Sequence, residues 1–292
     1  MKKIVRILSA AAISTAICGS VPAQAFDWMS LLSGGMKVVQ SMSISDQEIM
    51  QYVGQYVIQL DQQNTVLTGS NPYAVRLRKL TAGLNDVDGI PLKFKVYKVN
   101  EINAFACADG NVRVYTGLMD LMNDDEVLGV IGHEIGHVAH KDTKNQFKKA
   151  LLTAAARDGL TSLGGSIARL SKSSLGDIGE AMVGAKYSRK AEEAADDYGY
   201  KFLKKNGKNP WAMAMAFEKM QQLESSGAQG PMMQLFSSHP DTAKRIKRMS
   251  EKARKDGYTR PGTSSASSSY KSSGTTGSNN AKRTQVAKTK KR

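Results

Sequence analysis

The first clear periodicity along the chain begins at Ser45. Ile49, Tyr52, Val53, Tyr56, Val57 and Leu60 recur at the three- and four-residue spacing of one helical face. Ser45-Asp46-Gln47-Glu48, just ahead, fits a capping box with Ser45 as cap and Glu48 reaching back. This predicts an amphipathic helix. Asn71-Pro72 opens another, with proline in its first turn and Val75, Leu77, Leu80 and Leu84 on the apolar side. The pattern then changes to strict alternation from Leu92 to Val99, as in a half-buried strand. Ile102 to Ala106 reads as a second short strand, Asp109-Gly110 as a hairpin turn and Val112 to Tyr115 as the returning strand. Thr116-Gly117 ends it, before a short helical turn with Met119 and Leu121.

Asn123-Asp124-Asp125-Glu126 is a helix start, offering cap residues and acids at the positive end of the dipole. From Val127 to Val138 apolar residues then lie almost all round, which predicts a buried helix. Residues 147–185 are rich in Ala, Gly, Ser and Leu. Helical pieces are expected there, broken at Gly159, Gly164-Gly165 and Gly176; a lid, a partner-facing insert and a plain connector all fit. Residues 186–206 predict a strong helix ending at Asn206-Gly207. Asn209-Pro210 starts another with Trp211, Met215, Phe217 and Met220, and Ser238-His239-Pro240-Asp241 begins a last, basic helix to about Lys255. The sum is an α+β domain over 45–256, mainly helical, with a small β-sheet before the buried helix.

The two ends have a different character. Lys2, Lys3 and Arg6, the short apolar run from Ile7 to Cys18, and Ala23-Gln24-Ala25 make residues 1–25 an export signal cut before Phe26. Its apolar core is too short to span a bilayer comfortably, as is every later stretch. A lipid anchor at Cys18 is the rival, disfavoured by the bulky Ile17 directly before it. Cleavage leaves Cys107 as the one cysteine, read as a small buried hydrophobe. Residues 26–44 form a flexible lead-in. The formal charge of +15 is concentrated in the ends: residues 257–292 carry eight basic residues and no acid, leaving only +4 for 26–256. That Ser/Thr/Gly-rich tail is expected to be disordered, and to contact anionic membrane or cell-wall polymer. Export argues against nucleic acid. Nothing in the sequence fixes an oligomeric state.

The chemistry lies in the buried helix. His133-Glu134-Ile135-Gly136-His137 places two imidazoles at i and i+4 on one face. Such a pair grips one divalent metal, with the intervening glutamate as general base. Two histidines are costly in an apolar helix unless something satisfies them. A catalytic zinc site needs a third protein ligand. The extended metzincin pattern wants Gly at 140 and His at 143, where the chain has His140 and Thr143, so that class fails. The next glutamates are Glu180, Glu192, Glu193 and Glu218. Glu192 and Asp196 stand at i and i+4 on a face otherwise lined by alanine; Glu192 can bind the metal while Asp196 orients a ligand histidine. A solvated acidic stretch is the alternative, and Glu193 and Asp197 read as that. His140 reads as surface or packing.

His-Glu-x-x-His followed by Arg189-x-x-Glu192-x-x-Ala195-Asp196 resembles the HtpX and CAAX-prenyl-protease family of gluzincin zinc metallopeptidases, peptidase family 48 of the metallo class. Asn103-Ala104-Phe105-Ala106, Val114-Tyr115-Thr116-Gly117-Leu118 and Ser238-His239-Pro240 resemble further motifs of that family, and the likeness covers about 45–250. The multi-spanning members carry membrane helices that this chain lacks, so it resembles the exported, soluble branch. The resemblance implies a zincin-type fold and one Zn2+ held by His133, His137 and Glu192, with Glu134 as base. It gives Asp196 a proton-donor role as the alternative to orientation. It places His239 near the metal, where it steadies the oxyanion or blocks the open position. The expected activity is endoproteolysis of envelope or misfolded polypeptides in the periplasm, as part of protein quality control. An extended substrate would pair with the strand near Asn103–Ala106. The competing expectation is an envelope chaperone or binding factor with a structural or autoinhibited zinc site.

Overall fold

A computed structural model describes residues 44–159, 176–179, 186–226, 239 and 242–262. The expected signal segment, nearly all of the lead-in, Gly164-Gly165 and the tail past 262 lie outside the described residues, as do Ser238, Pro240 and Asp241. One compact unit spans Met1–Thr259 and a second Arg260–Arg292; every element below belongs to the first.

Helix α1 (Asp46–Gln63) begins on the expected capping box: Ser45 and Glu48 bond each other's backbone reciprocally. It buries Ile49, Tyr52, Val53, Val57 and Leu60. Next come strand β1 (Val66–Leu67), helix α2 (Pro72–Leu80), the short pair β2 (Asp86–Val87) and β3 (Ile90–Pro91), and strands β4 (Lys93–Tyr97), β5 (Ala104–Ala106) and β6 (Asn111–Tyr115). The main sheet has the order β1-β4-β6-β5. β5 and β6 form the expected hairpin, antiparallel, with Ala106 opposite Val112. β4 runs parallel to β6. β4 is shorter than the alternating run from Leu92 to Val99, and its last two residues, Val96 and Tyr97, are both buried because both faces of the sheet are covered.

One face of the sheet, with Val96, Ala104, Ala106, Val112 and Val114, packs on helix α4 (Asp124–Ala139), which follows helix α3 (Thr116–Leu121). The other face carries the mutually packed rings of Tyr97, Phe105 and Tyr115 and is covered by α1 and helix α5 (Asp142–Arg157). Gly159 ends α5 as expected, at φ +71°. Gly176, expected as a break, is itself helical.

Helices α6 (Arg189–Lys205), α7 (Trp211–Ser225) and α8 (Thr242–Lys255) complete the domain. α4 lies in the middle of this assembly, packed on β5, α6 and α7, and residues 126–138 are buried throughout. Its close approach to α6 depends on glycine. A Cβ at Gly132 would stand 2.5 Å from the Phe202 ring, and one at Gly136 would stand 3.0 Å from the Ala195 Cα. With hydrogens there instead, the two backbones come close enough for side chains of α6 to reach those of α4.

Candidate metal centre

The motif of α4 and the acid pair of α6 meet at this contact. His133, His137, Glu192 and His239 each direct one ligating atom into a common space, all within 4.8 Å of one another and all buried. His133 Nε2 is 3.2 Å from His137 Nε2 and 3.2 Å from His239 Nδ1. Glu192 Oε1 is 3.7 Å from His137 Nε2 and 2.8 Å from His239 Nδ1, and Glu192 Oε2 is 3.5 Å from His133 Nε2.

The outer nitrogens of the two motif histidines decide what these inner atoms can do. His133 Nδ1 is 3.0 Å from Asp196 Oδ1, and His137 Nδ1 is 3.0 Å from Asp142 Oδ2. Carboxylates only accept, so each Nδ1 carries a proton and donates it. Burial, then the Arg245 cation, pushes His133 down to about 3, so its ring is neutral and Nε2 keeps only a lone pair. His133 Nε2 and His137 Nε2 face each other 3.2 Å apart in a buried space, and a cation between them would be held by both. Tetrahedral ligands about 2.05 Å from a zinc ion stand about 3.3 Å apart, close to the spacings here. The donor set therefore fits a small divalent metal, with imidazole nitrogen and carboxylate oxygen as its ligands.

Glu134 lies beside this space. Its Oε1 is buried without a hydrogen-bond partner and 3.6 Å from His239 Nε2. Burial, reinforced by the charge of Glu192, lifts its carboxyl to about 8, against the pull of the Ala106 backbone amide. Glu192 Oε2 is likewise without a hydrogen bond, although Arg245 approaches to 3.3 Å outside bonding geometry. Asp196 is held differently. Burial would raise its carboxyl, but Arg245 and the bond from His133 outweigh that and keep it well below the usual carboxylate range.

A family model for peptidase family M48 matches residues 76–253. The chain belongs to peptidase family M48. It is 38% identical over 256 residues to metalloprotease LoiP of Escherichia coli (strain K12), a match that covers 87% of this chain and 99% of LoiP. Metalloprotease YcaL of the same organism is 35% identical over 253 residues, covering 86% of this chain and 98% of YcaL. A protease HtpX homolog from Thermococcus sibiricus is 29% identical over 217 residues, covering 60% and 73%. An M48 domain with this cluster of ligands is a metalloendopeptidase, which acts on polypeptides and needs a divalent metal. Among the described residues no helix is long and apolar enough to cross a membrane.

The M48 centre brings together every site residue expected from sequence: His133, Glu134, His137, Glu192, Asp196 and His239. His140 lies apart, exposed, with Nδ1 on the Gly136 carbonyl. Cys107 is buried, and burial raises its thiol well above its ordinary value, as a packing residue requires. One expectation fails. Asp197 is not a solvated acid but pairs with Arg248 and Lys252 of α8, because α8 packs along that side of α6.

Three contributors were not foreseen. Arg245 of α8, 5% exposed, donates to Asp196 and to the His239 carbonyl. Its only sequence signal is its place four residues before Met249 and eight before Ala253, on the apolar stripe of a basic helix. Asp142 reaches His137 because Lys141 turns the chain through a left-handed conformation, φ 63°. The Tyr187 ring stacks on His137 with centroids 3.9 Å apart and walls the cluster.

Proposed function

We propose that the protein is an exported zinc endopeptidase of cell-envelope polypeptides. His133, His137 and Glu192 would hold one Zn2+, and Glu134 would act as general base. The observation that carries this is the pair of Nε2 atoms facing each other at 3.2 Å, with Glu192 beside them and an unpartnered Glu134 oxygen at their edge. Zinc is the metal that this mixed nitrogen and oxygen set suits, and when bound it polarises a peptide carbonyl and acidifies water.

The chain's own residues do the rest. Asp196 and Asp142 fix the ring orientation and tautomer of the two motif histidines. Asp196 is bound by Arg245 and remains a carboxylate, which favours orientation over proton donation. Glu134 takes the proton from the attacking water and returns it to the leaving amine. β5, at the edge of the sheet and against α4, offers main-chain groups to an extended substrate. The leader-like residues 1–25 support action outside the cytoplasm, which would make misfolded envelope proteins the substrates, and the similarity to the metalloproteases LoiP and YcaL supports proteolysis. The basic tail would add peripheral contact with membrane or cell wall.

The decisive experiment pairs metal analysis with proteolysis. Glu134→Gln should retain one zinc per chain and lose casein cleavage; cleavage at the parental rate would remove Glu134 from its role.

A second reading rests on His239. Its Nδ1 stands among the ligand atoms, where it fills the position a substrate needs and leaves the site autoinhibited. The protein would then serve as an envelope binding factor for as long as His239 holds that position. Proteolysis that appears only in His239→Ala supports this; an inactive variant that still binds zinc favours participation of His239 in turnover.

A further inference from the structure

Helix α8 has two faces with different work. Arg245, Met249 and Ala253 point inward, Arg245 onto the metal centre. The outer face is cationic. The helix holds seven basic residues and a single acid, Glu251. Lys244, Lys247, Arg248, Lys252 and Lys255, with Glu251, line an open depression of about 370 Å3. Asp197 pairs with Arg248 and Lys252. Lys247 and Glu251 meet only at 4.0 Å with side chains 77% and 57% exposed, a contact that contributes almost nothing. The lining of the depression thus carries five cations and one acid.

We propose that the outer face of α8 docks on an anionic lipid surface, through the phosphate groups of the headgroups. Charge complementarity is the first support. The second is residue type. Four of the five cations are lysines, compact hydrated charges on flexible stems. They suit a field of headgroups that rearrange around them, whereas fixed carboxylates of a folded partner are matched by arginine forks. The third is shape. The face is one helix long, about 21 Å, and among the described residues no aromatic side chain lines it to stack nucleobases. The fourth is sequence continuity: residues 263–292 hold seven further basic residues and no acid. Docking in this way sets the metal centre about one helix diameter, ~10 Å, from the headgroups.

The test is co-sedimentation of the full chain with vesicles of phosphatidylcholine containing one-third phosphatidylglycerol, and with phosphatidylcholine alone. Binding is expected to the anionic vesicles only, and to fall as salt rises. Each basic residue at such a surface is worth about fivefold, so Lys244→Gln/Lys247→Gln/Lys255→Gln should lower the partition by about a hundredfold. Its thermal unfolding, measured alongside, separates a loss of docking from a loss of fold. A second variant replaces the seven basic residues of 263–292 by serine. If it abolishes binding while the triple glutamine variant binds like the parent, the tail is the contact and the proposal fails. It fails equally if the parent ignores anionic vesicles, or binds polyglutamate or DNA but not the vesicles.

Discussion

Arg245 holds Asp196 with two points of its guanidinium: Nε donates to Oδ2 at 3.0 Å and a terminal nitrogen to Oδ1 at 2.7 Å. Both side chains are buried, and Asp196 in turn receives His133 Nδ1. The metal ligand on α4 is thus positioned by a residue of α8 through a residue of α6. Removing the cation leaves a buried carboxylate without its partner, which costs about 3–5 kcal/mol. Arg245→Met should lose stability on that scale and bind zinc about 10–100-fold more weakly. Arg245→Lys, which keeps the charge but not the fork, should recover only part of it. Urea unfolding of the metal-free protein and chelator competition measure the two effects separately.

Asp196 itself distinguishes two chemical roles. As the group that orients His133, its change to Asn should weaken zinc binding by about 10–100-fold yet leave most of kcat once zinc is saturating. As a proton donor, the same change should abolish kcat at unaltered zinc affinity. Arg245 argues for the first outcome, because it keeps the carboxyl ionised and without a proton to give. Zinc titration with activity read at full occupancy separates them.

The α4–α6 contact predicts a lesion with no change of chemistry. A Cβ at Gly136 would stand 2.9 Å from the Tyr198 Cβ and 3.0 Å from the Ala195 Cα. Backbone and Cβ atoms yield less readily than a side-chain tip, so the helices must part. Gly136→Ala should cost about 1–3 kcal/mol and weaken zinc binding, since Glu192 rides on α6 one turn from the contact. Gly129→Ala, where the nearest atom is the flexible Met213 sulfur at 3.2 Å, should cost less. Equal losses at the two positions would show that helix separation does not govern the site.

What could be read from the sequence was what depends on local spacing. The capping box at Ser45 and the helix start at Asn123 each need only four consecutive residues, and both formed. The His133–His137 pair and the Glu192–Asp196 pair each lie on one turn of helix. Arg245 was hidden because an arginine among six other basic residues of α8 looks like surface; only the partner helix makes it buried. Asp142 was hidden because its reach depends on the turn at Lys141. The parallel pairing of β4 with β6 passes over β5, and the two-residue strands β1, β2 and β3 are too short to carry a period.

The opposite face of the sheet supplies a pH prediction away from the metal. Asp61 accepts from Arg113 Nε at 2.8 Å, Lys95 Nζ at 2.7 Å and the Tyr97 hydroxyl at 2.7 Å. Burial would raise its carboxyl, but these bonds, led by Arg113, outweigh it and hold the group below its ordinary value. A carboxyl depressed in the folded state favours folding above its unfolded value of about 3.9 and loses that contribution as pH falls through the folded value. Asp61→Asn should therefore destabilise at neutral pH, where Arg113, 1% exposed, is left without its counter-charge. The cost is up to about 3 kcal/mol, the low end for a broken buried pair because Asp61 keeps 16% exposure. As pH falls through the depressed folded value, the parental carboxyl itself takes up protons, and the gap between the two proteins should narrow. Urea unfolding across this range measures the gap; one that stays constant with pH would show that Asp61 acts through shape and hydrogen bonding and that its charge contributes nothing.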